Sequence, residues 1–185
     1  MSARKGATGR LLAVLLMPVL AFGASAQDYS SLGIGTFHSP KGLGVCMELQ
    51  ADKSMFDSFD IIADMYGVLT GQYSTPGIKA TYCRNIILKH IDREDCALDL
   101  YAGPGVTAGY VRDIHEPYSL VAGMAGSAGC RMDFYKKNII IYMELGVDLA
   151  GEFNRDNRFK TLNLNIYKSG IYHIFYPQVR ILYRL

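Results

Sequence analysis

The chain lacks the marks of several common protein classes. Beyond residue 26 no apolar run reaches the roughly 18 residues that indicate a membrane-spanning helix. The four cysteines, Cys46, Cys83, Cys96 and Cys130, form no C-x-x-C pair of the kind that predicts zinc binding or thioredoxin-like redox chemistry. No phosphate-loop lysine motif is present. We therefore predict no metal site, no nucleotide site and no cofactor.

The first 26 residues have the three parts of an export signal. Arg4, Lys5 and Arg10 form a positively charged start, and residues 11–23 form an apolar core of 13 residues. This core is shorter than the roughly 20 residues that a spanning helix needs. Residues 24–26 read Ala-Ser-Ala, the small-residue pattern that signal peptidase cleaves. We predict that residues 1–26 are a cleaved signal peptide.

The charge of the remaining chain is close to zero. Three of the 19 basic residues lie in the signal, so 16 basic residues face 17 acidic ones, a formal net charge of −1. Removing 26 of the 185 residues leaves 159, enough for one domain with its own core. Because no basic field remains, we predict no nucleic-acid partner.

Apolar and polar residues alternate along most of this domain. From Ile139 to Leu149 every second residue is apolar, whereas Glu144, Gly146 and Asp148 share the opposite face. A period of two over eleven residues is typical of a β-strand with one apolar face. The same division recurs at about 43–50, 59–66, 162–167 and 178–185, and weaker strands are predicted at about 77–89, 97–111 and 118–133, which makes eight. Short polar turns separate these strands.

Two all-β architectures use eight such strands, a soluble barrel or sandwich and a membrane barrel. A small membrane barrel turns its apolar face towards lipid and packs polar groups inside. The ten steps from Phe175 to Leu185 project to roughly 24 Å at ~3.4 Å per residue and a tilt of about 45°, which suits an apolar band of about 25 Å. Tyr110 and Tyr118 flank the charged turn "RDIHEP", as interfacial aromatic residues do. Both features favour the membrane barrel.

The polar strand face carries charges of both signs. On a soluble barrel they would form a solvated exterior, whereas inside a narrow membrane barrel they would pair with one another, since an unpaired buried charge is costly. We predict that they form a charge network in the lumen. Its members are Glu48, Asp60, Asp64, Lys79, Asp99, Arg131, Glu144, Asp148, Arg180 and Arg184.

The stretch "LYAGPGVTAGYVRD" interrupts a strand pattern with glycine and proline. Its glycines lie on the polar face of the strand, and the next predicted strand also has small residues on that face. We predict that these residues form a small-residue inner wall that leaves room for long charged side chains. The wall consists of Gly103, Gly105, Gly109, Gly123, Ala125, Ser127 and Gly129. Pro104 falls on the other parity and lacks an amide hydrogen, so we predict a bulge or bend there.

An export signal, eight alternating strands and a last strand "PQVRILYRL" that runs to the C-terminus resemble the small outer-membrane β-barrels related to OmpX and the OmpA transmembrane domain. The resemblance covers residues 42–185 and implies a closed antiparallel up-and-down barrel surrounded by outer-membrane lipid. It also implies that the barrel-assembly machinery recognises the last strand. The residues that match this assembly signal are Val179, Ile181, Tyr183 and Leu185, with leucine where the family usually ends in an aromatic residue.

The sequence thus predicts a signal peptide at 1–26, an N-terminal lead-in at 27–41 and a transmembrane barrel at 42–185, with both termini on the periplasmic side. The expected role is structural or interactive. Three alternatives stay open: a narrow channel for ions or small polar solutes, a soluble periplasmic ligand-binding barrel, and a lipid-modifying enzyme. For the enzyme, Ser169 and His173 are weak catalytic candidates.

Overall fold

The computed structural model describes residues 31–50, 52–69, 76–111, 119–155, 162–166 and 175–185. Within them the chain is almost entirely β-structure, as the alternation predicts. A short helix, α1 (Tyr66–Leu69), and one 3-10 turn (Tyr135–Lys137) are the helical elements of these residues. The strands are β1 (Ser31–Ser39), β2 (Gly42–Gln50), β3 (Met55–Asp64), β4 (Gly77–Asp92), β5 (Ala97–Val111), β6 (Ser119–Phe134), β7 (Ile139–Arg155), β8 (Leu162–Ile166) and β9 (Phe175–Arg184).

Antiparallel pairing closes these strands into one barrel. From β1 to β7 each strand pairs with the next, and β9 pairs with both β7 and β1. The closing register places Phe37 of β1 opposite Arg180 of β9. Each of β1–β7 and β9 therefore pairs on both sides, which satisfies the backbone groups along the paired residues. The predicted closed antiparallel up-and-down barrel is confirmed.

The barrel wall has eight positions, but one of them is filled by two strands. β7 pairs with β9 along Ile139–Val147 and with β8 along Gly151–Arg155. Both partners run antiparallel to β7, so β8 and β9 run in the same direction and together form one interrupted wall strand. Their alternation predicts two separate wall strands, which is wrong by one. The eighth strand is instead β1.

The predicted lead-in at 27–41 therefore needs correction, because its residues 31–39 are a barrel strand. β1 pairs along its whole length with β2, and Leu185 donates its amide hydrogen to the carbonyl of Leu32. Its inward-facing positions include Gly33 and Gly35, which carry no side chain to contrast with the outward Ile34. The alternation is too weak to mark the strand, so the barrel begins at Ser31 rather than at residue 42.

The start of β1 and the end of β9 lie at the same end of the barrel, here called the terminal end, since Gly33 pairs with Arg184. The β2–β3, β4–β5 and β6–β7 connections also lie there and are short. In the first of them, Asp52 accepts hydrogen bonds from the Ser54 side-chain hydroxyl and backbone amide, which hold the pKa of Asp52 below its ordinary value.

No helix among the described residues is long and apolar enough to span a membrane.

The predicted bulge at Pro104 is wrong in position. The pairing of β5 with β6 keeps one register through Pro104. On the other side of β5, Gly103 and Pro104 have no paired residue in β4, but the register of the β4–β5 pairs is the same before and after them. The register slips instead between Ile87 and Lys89. A proline on the outward parity removes one donor from one ladder. That loss does not require an extra residue, and β5 accordingly keeps one register with β6 through Pro104.

Gly35 lies where β1 and β9 approach closely to close the barrel. A Cβ atom at Gly35 would lie 2.6 Å from the Cα atom of Leu182, a backbone atom that cannot rotate away. We expect Gly35→Ala to lower the free energy of unfolding by about 1–3 kcal/mol, the usual cost of overpacking. Urea unfolding measures this free energy. Gly126→Ala is the matched control, because its new Cβ would meet one carbonyl oxygen at 3.2 Å. Equal effects of the two changes would contradict the close approach.

Candidate functional site: an ion-paired barrel interior

The charges predicted for the lumen point inward. Nine of the ten are buried, and the side chain of Arg184 is 21% exposed. Two further charges, Lys41 and Asp133, are also buried and are not among the predicted ten. Asp133 has the same parity as Arg131 and lies at the end of the predicted strand 118–133, so parity could have found it. Lys41 lies in a turn, where alternation gives no direction.

A first group, the Arg131 cluster, lies near the terminal end. The Arg131 guanidinium donates to Asp99 at 2.8 Å and to Glu48 at 2.9 Å, and it lies 3.3 Å from Asp133. Its Nε donates to the Tyr142 hydroxyl at 2.9 Å. Arg184 also contacts Asp133, and the half-exposed His90 hydrogen-bonds Asp99 at 2.5 Å. One arginine thereby joins carboxylates from three strands across the lumen.

A second group, the Arg180 cluster, lies near the middle of the barrel. Arg180 donates to Glu144 at 2.6 Å and to Asp60 at 2.7 Å, which come from β7 and β3. Glu144 also accepts hydrogen bonds from the Tyr101 hydroxyl and the Gln178 amide. All of these side chains are buried. The Arg180 cluster therefore crosses the barrel with its charges paired away from water.

A third group, the Asp148 cluster, lies towards the other end. Asp148 pairs with the ammonium groups of Lys79 and, at 3.2 Å, Lys41. The Tyr176 hydroxyl donates to the same carboxylate at 3.3 Å, and the Lys41 ammonium lies 3.7 Å from the centre of the Tyr176 ring. A cation over a ring face is attracted by the ring quadrupole. The three clusters thus form successive layers along the lumen.

Uncharged side chains complete the interior. Asn85 bridges the hydroxyls of Ser58 and Ser127, at 3.1 and 2.7 Å, and Thr81 bonds Thr107 at 3.1 Å. All four cysteines are free thiols. In the described part of the chain no group of three or more His, Cys, Asp or Glu side chains is arranged to hold a metal ion.

The small-residue wall has a different physical basis from the predicted one. Ala125 and Ser127 are buried, and the glycines share their inward parity. A Cβ atom at Gly129 would lie 2.6 Å from the Cα of Glu144, and one at Gly109 would lie 2.6 Å from the Cα of Lys79. The nearest obstacles are thus the backbones of adjacent strands. These glycines permit close strand approach rather than simply leaving space for long side chains.

Large apolar side chains cover the outer face. The four residues of the predicted assembly signal are exposed there, and recognition by the assembly machinery stays a prediction. Tyr110 and Phe175 are also exposed, whereas Tyr118, Ser169 and His173 lie outside the described residues. The exposed aliphatic side chains of the wall include Ile34, Leu43, Val45, Ile61, Ile78, Val106, Leu120, Leu145, Leu149, Val179 and Ile181.

A cavity of about 470 Å³ opens beside the Arg131 cluster, and we name it the terminal-end cavity. Tyr135, outside the strands, lines it and donates to Asp92 at 3.1 Å. Partial desolvation first, and then this hydrogen bond, raise the pKa of Tyr135 above its ordinary value. The lining residues are Ser31, Gln50, Lys53, Ile87, His90, Asp92, Ala97, Asp99, Arg131, Asp133, Tyr135 and Arg184.

Fold and interior together define a closed eight-position β-barrel with an apolar exterior and an ion-paired lumen. Among solved structures, the chain is similar to a major outer membrane protein from Thermus thermophilus, with 12% sequence identity and a TM-score of 0.47. That similarity covers 84% of this chain and 99% of the Thermus chain. No family model and no curated protein matches the sequence.

Proposed function

We propose that this chain is an integral outer-membrane β-barrel protein with a structural or interaction role. One observation carries the proposal, the inverted polarity of the wall. Charged residues such as Glu48, Asp99 and Arg131 are almost fully buried, whereas Val45, Ile61 and Leu149 are more than half exposed. In water an apolar surface that surrounds the whole molecule would drive aggregation. In lipid it is the ordinary exterior of a spanning barrel.

Closure of the sheet supports the same location. A spanning segment must satisfy its backbone hydrogen bonds internally, and a closed barrel does so. The predicted export signal would deliver the chain across the inner membrane, and both ends of the barrel chain then lie at one face. The soluble ligand-binding alternative requires an apolar lumen. The buried charges argue against it.

Layered ion pairs favour a filled barrel over an open channel. An eight-stranded barrel has an interior about wide enough for its side chains to fill. The Arg131, Arg180 and Asp148 clusters each join strands across that interior. A filled lumen suits a scaffold whose outer face and loops make the contacts. The narrow channel and the lipid-modifying enzyme stay alternatives.

Extraction of cell membranes tests the location. We expect the protein to stay with the membrane fraction after washing in urea, because its apolar belt is dissolved in lipid. We also expect unboiled samples to migrate differently from boiled ones in detergent gels, because a closed barrel unfolds slowly. A soluble periplasmic protein from the same cells is the control. Release by urea together with identical migration would overturn the proposal.

A further inference from the structure

Two charged side chains lie on the outward face of the wall, among exposed apolar residues. Asp57 of β3 and Arg84 of β4 are directly paired in register, so both point to the same face. The Arg84 side chain is 49% exposed. Along β4, exposed Ile86 and Leu88 lie between Arg84 and the terminal end, and exposed Ile78 lies on its other side. The two charges are therefore inside the apolar belt and not at its border.

These two side chains satisfy each other only in part. Arg84 Nε lies 3.9 Å from Asp57 Oδ1, which is too far for a hydrogen bond. The Tyr82 hydroxyl donates to the same oxygen at 3.0 Å. In the described part of the chain, Asp57 Oδ2 and the guanidinium N–H groups of Arg84 have no hydrogen-bond partner. Because charges are costly in lipid and usually pair there, this pair points to a polar partner outside the chain.

A lipid phosphate matches this pair poorly. The carboxylate of Asp57 lies beside the cation and repels an anion. Ile86 and Leu88 separate Arg84 from the terminal end, where the nearest lipid headgroups would lie. The partner must instead bring an acceptor for the guanidinium and a donor for the carboxylate, and it must bring both at one depth in the membrane.

A second copy of this chain meets both requirements. Copies that insert into one membrane by the same route have the same orientation, so a two-fold axis between them runs along the membrane normal. If the axis passes between β3 and β4, then β3 of each copy faces β4 of the other. Asp57 of each copy meets Arg84 of the other at a similar depth, because the two residues are paired in register.

From these observations we infer that the outward β3–β4 face is the interface of a symmetric dimer of this chain. Two reciprocal Arg84–Asp57 pairs form its centre, and Phe59 and Tyr82, whose ring centres lie 4.9 Å apart, flank them on the same face. The inference rests on the proposed outer-membrane location. The two fail separately, because a chain that resists extraction by urea but is monomeric keeps the location and loses the dimer.

Sedimentation equilibrium of the protein, purified from membranes in density-matched detergent micelles, tests the dimer. We expect a monomer–dimer equilibrium for the unmodified chain. Arg84→Gln and Asp57→Asn should each weaken dimerisation about tenfold or more, since each change removes one member of both reciprocal pairs. Within one copy the loose pair contributes little to folding. Both variants should therefore keep the gel-migration difference between boiled and unboiled samples.

Lys89→Gln is the matched control for Arg84→Gln. Lys89 also lies in β4 and is exposed, and it faces outward because it pairs with the outward Leu100. The control removes a cation from the same strand and the same face, but outside the reciprocal pairs. We expect its dimerisation constant to equal that of the unmodified chain.

Charge exchange separates the reciprocal contact from general adhesion between apolar walls. Arg84→Asp makes the face of each copy acidic, and Asp57→Arg makes it basic. Each variant alone places like charges opposite one another and should be monomeric. An equimolar mixture of the two should dimerise, because the acidic face of one copy meets the basic face of the other.

Three outcomes would overturn the inference. The first is an unmodified chain that is monomeric at every concentration. The second is Arg84→Gln dimerising as tightly as Lys89→Gln, which would move the contact elsewhere on the wall. The third is a mixture of folded Arg84→Asp and Asp57→Arg copies that stays monomeric. If a charge-reversed variant fails to fold, the comparison of Arg84→Gln with Lys89→Gln still decides.

Discussion

Arg180→Met is expected to lower the free energy of unfolding by about 3–5 kcal/mol, the cost of breaking a buried ion pair. Arg180 is 4% exposed and contacts both Asp60 and Glu144. Methionine fills much of the same space but leaves two carboxylates in the lumen without their cation. Reversible urea unfolding in lipid vesicles gives the free energy directly.

Arg84→Met is the matched control for that change. The Arg84 side chain is about half exposed, and its Nε lies 3.9 Å from Asp57. Exposed pairs of this kind contribute about 0–1 kcal/mol. The combined variant Arg180→Met, Asp60→Asn, Glu144→Gln should recover part of the lost stability, since it also removes the unpaired charges. If Arg180→Met cost no more than Arg84→Met, the Arg180 cluster would not be stabilised by its pairing.

Leu145→Arg is expected to cost about 2–4 kcal/mol in a lipid bilayer, because it places a charge on the outer wall near the middle of β7. The same exposed change on a soluble protein would usually alter stability by no more than about 0.5 kcal/mol. The experiment therefore tests whether lipid or water surrounds the outer wall. Urea unfolding in vesicles is again the measurement.

Leu88→Arg provides the depth control. Leu88 is 71% exposed and lies in β4 close to the terminal end, away from the middle of the wall. An arginine near the membrane interface costs about 0–1 kcal/mol. A clear difference between the two leucines would support a bilayer around the barrel. Equal and small costs at both positions would contradict it.

Much of the wall could be predicted from the sequence because strand alternation is a local property. Ile139 to Leu149 shows a period of two, and the structure places β7 there. Parity also placed Asp60, Glu144 and Arg180 each on the polar face of its own strand. Where apolar and polar residues alternate only weakly, the strand was not predicted, as at Gly33 and Gly35 in β1.

Other features depended on contacts between distant residues. The bulge lies near Leu88 rather than at Pro104, because pairing with the neighbouring strand decides where an extra residue is accommodated. The inward glycines act against backbones of adjacent strands, which no single-strand pattern describes. Lys41 joined the Asp148 cluster from a turn, where side-chain direction has no period.

By itself the sequence determined that this chain forms antiparallel strands with one apolar and one charged face, since side chains alternate along any extended backbone. Alternation alone could not determine which face lies inside; the span of the last strand and the tyrosines beside a charged turn favoured an inward charged face. Only barrel closure decided that, by turning the charged face into a narrow lumen where Arg131, Arg180 and Asp148 find partners across the barrel. Closure also brought Asp133 and Arg184 together at the terminal-end cavity, although they lie 51 positions apart along the chain.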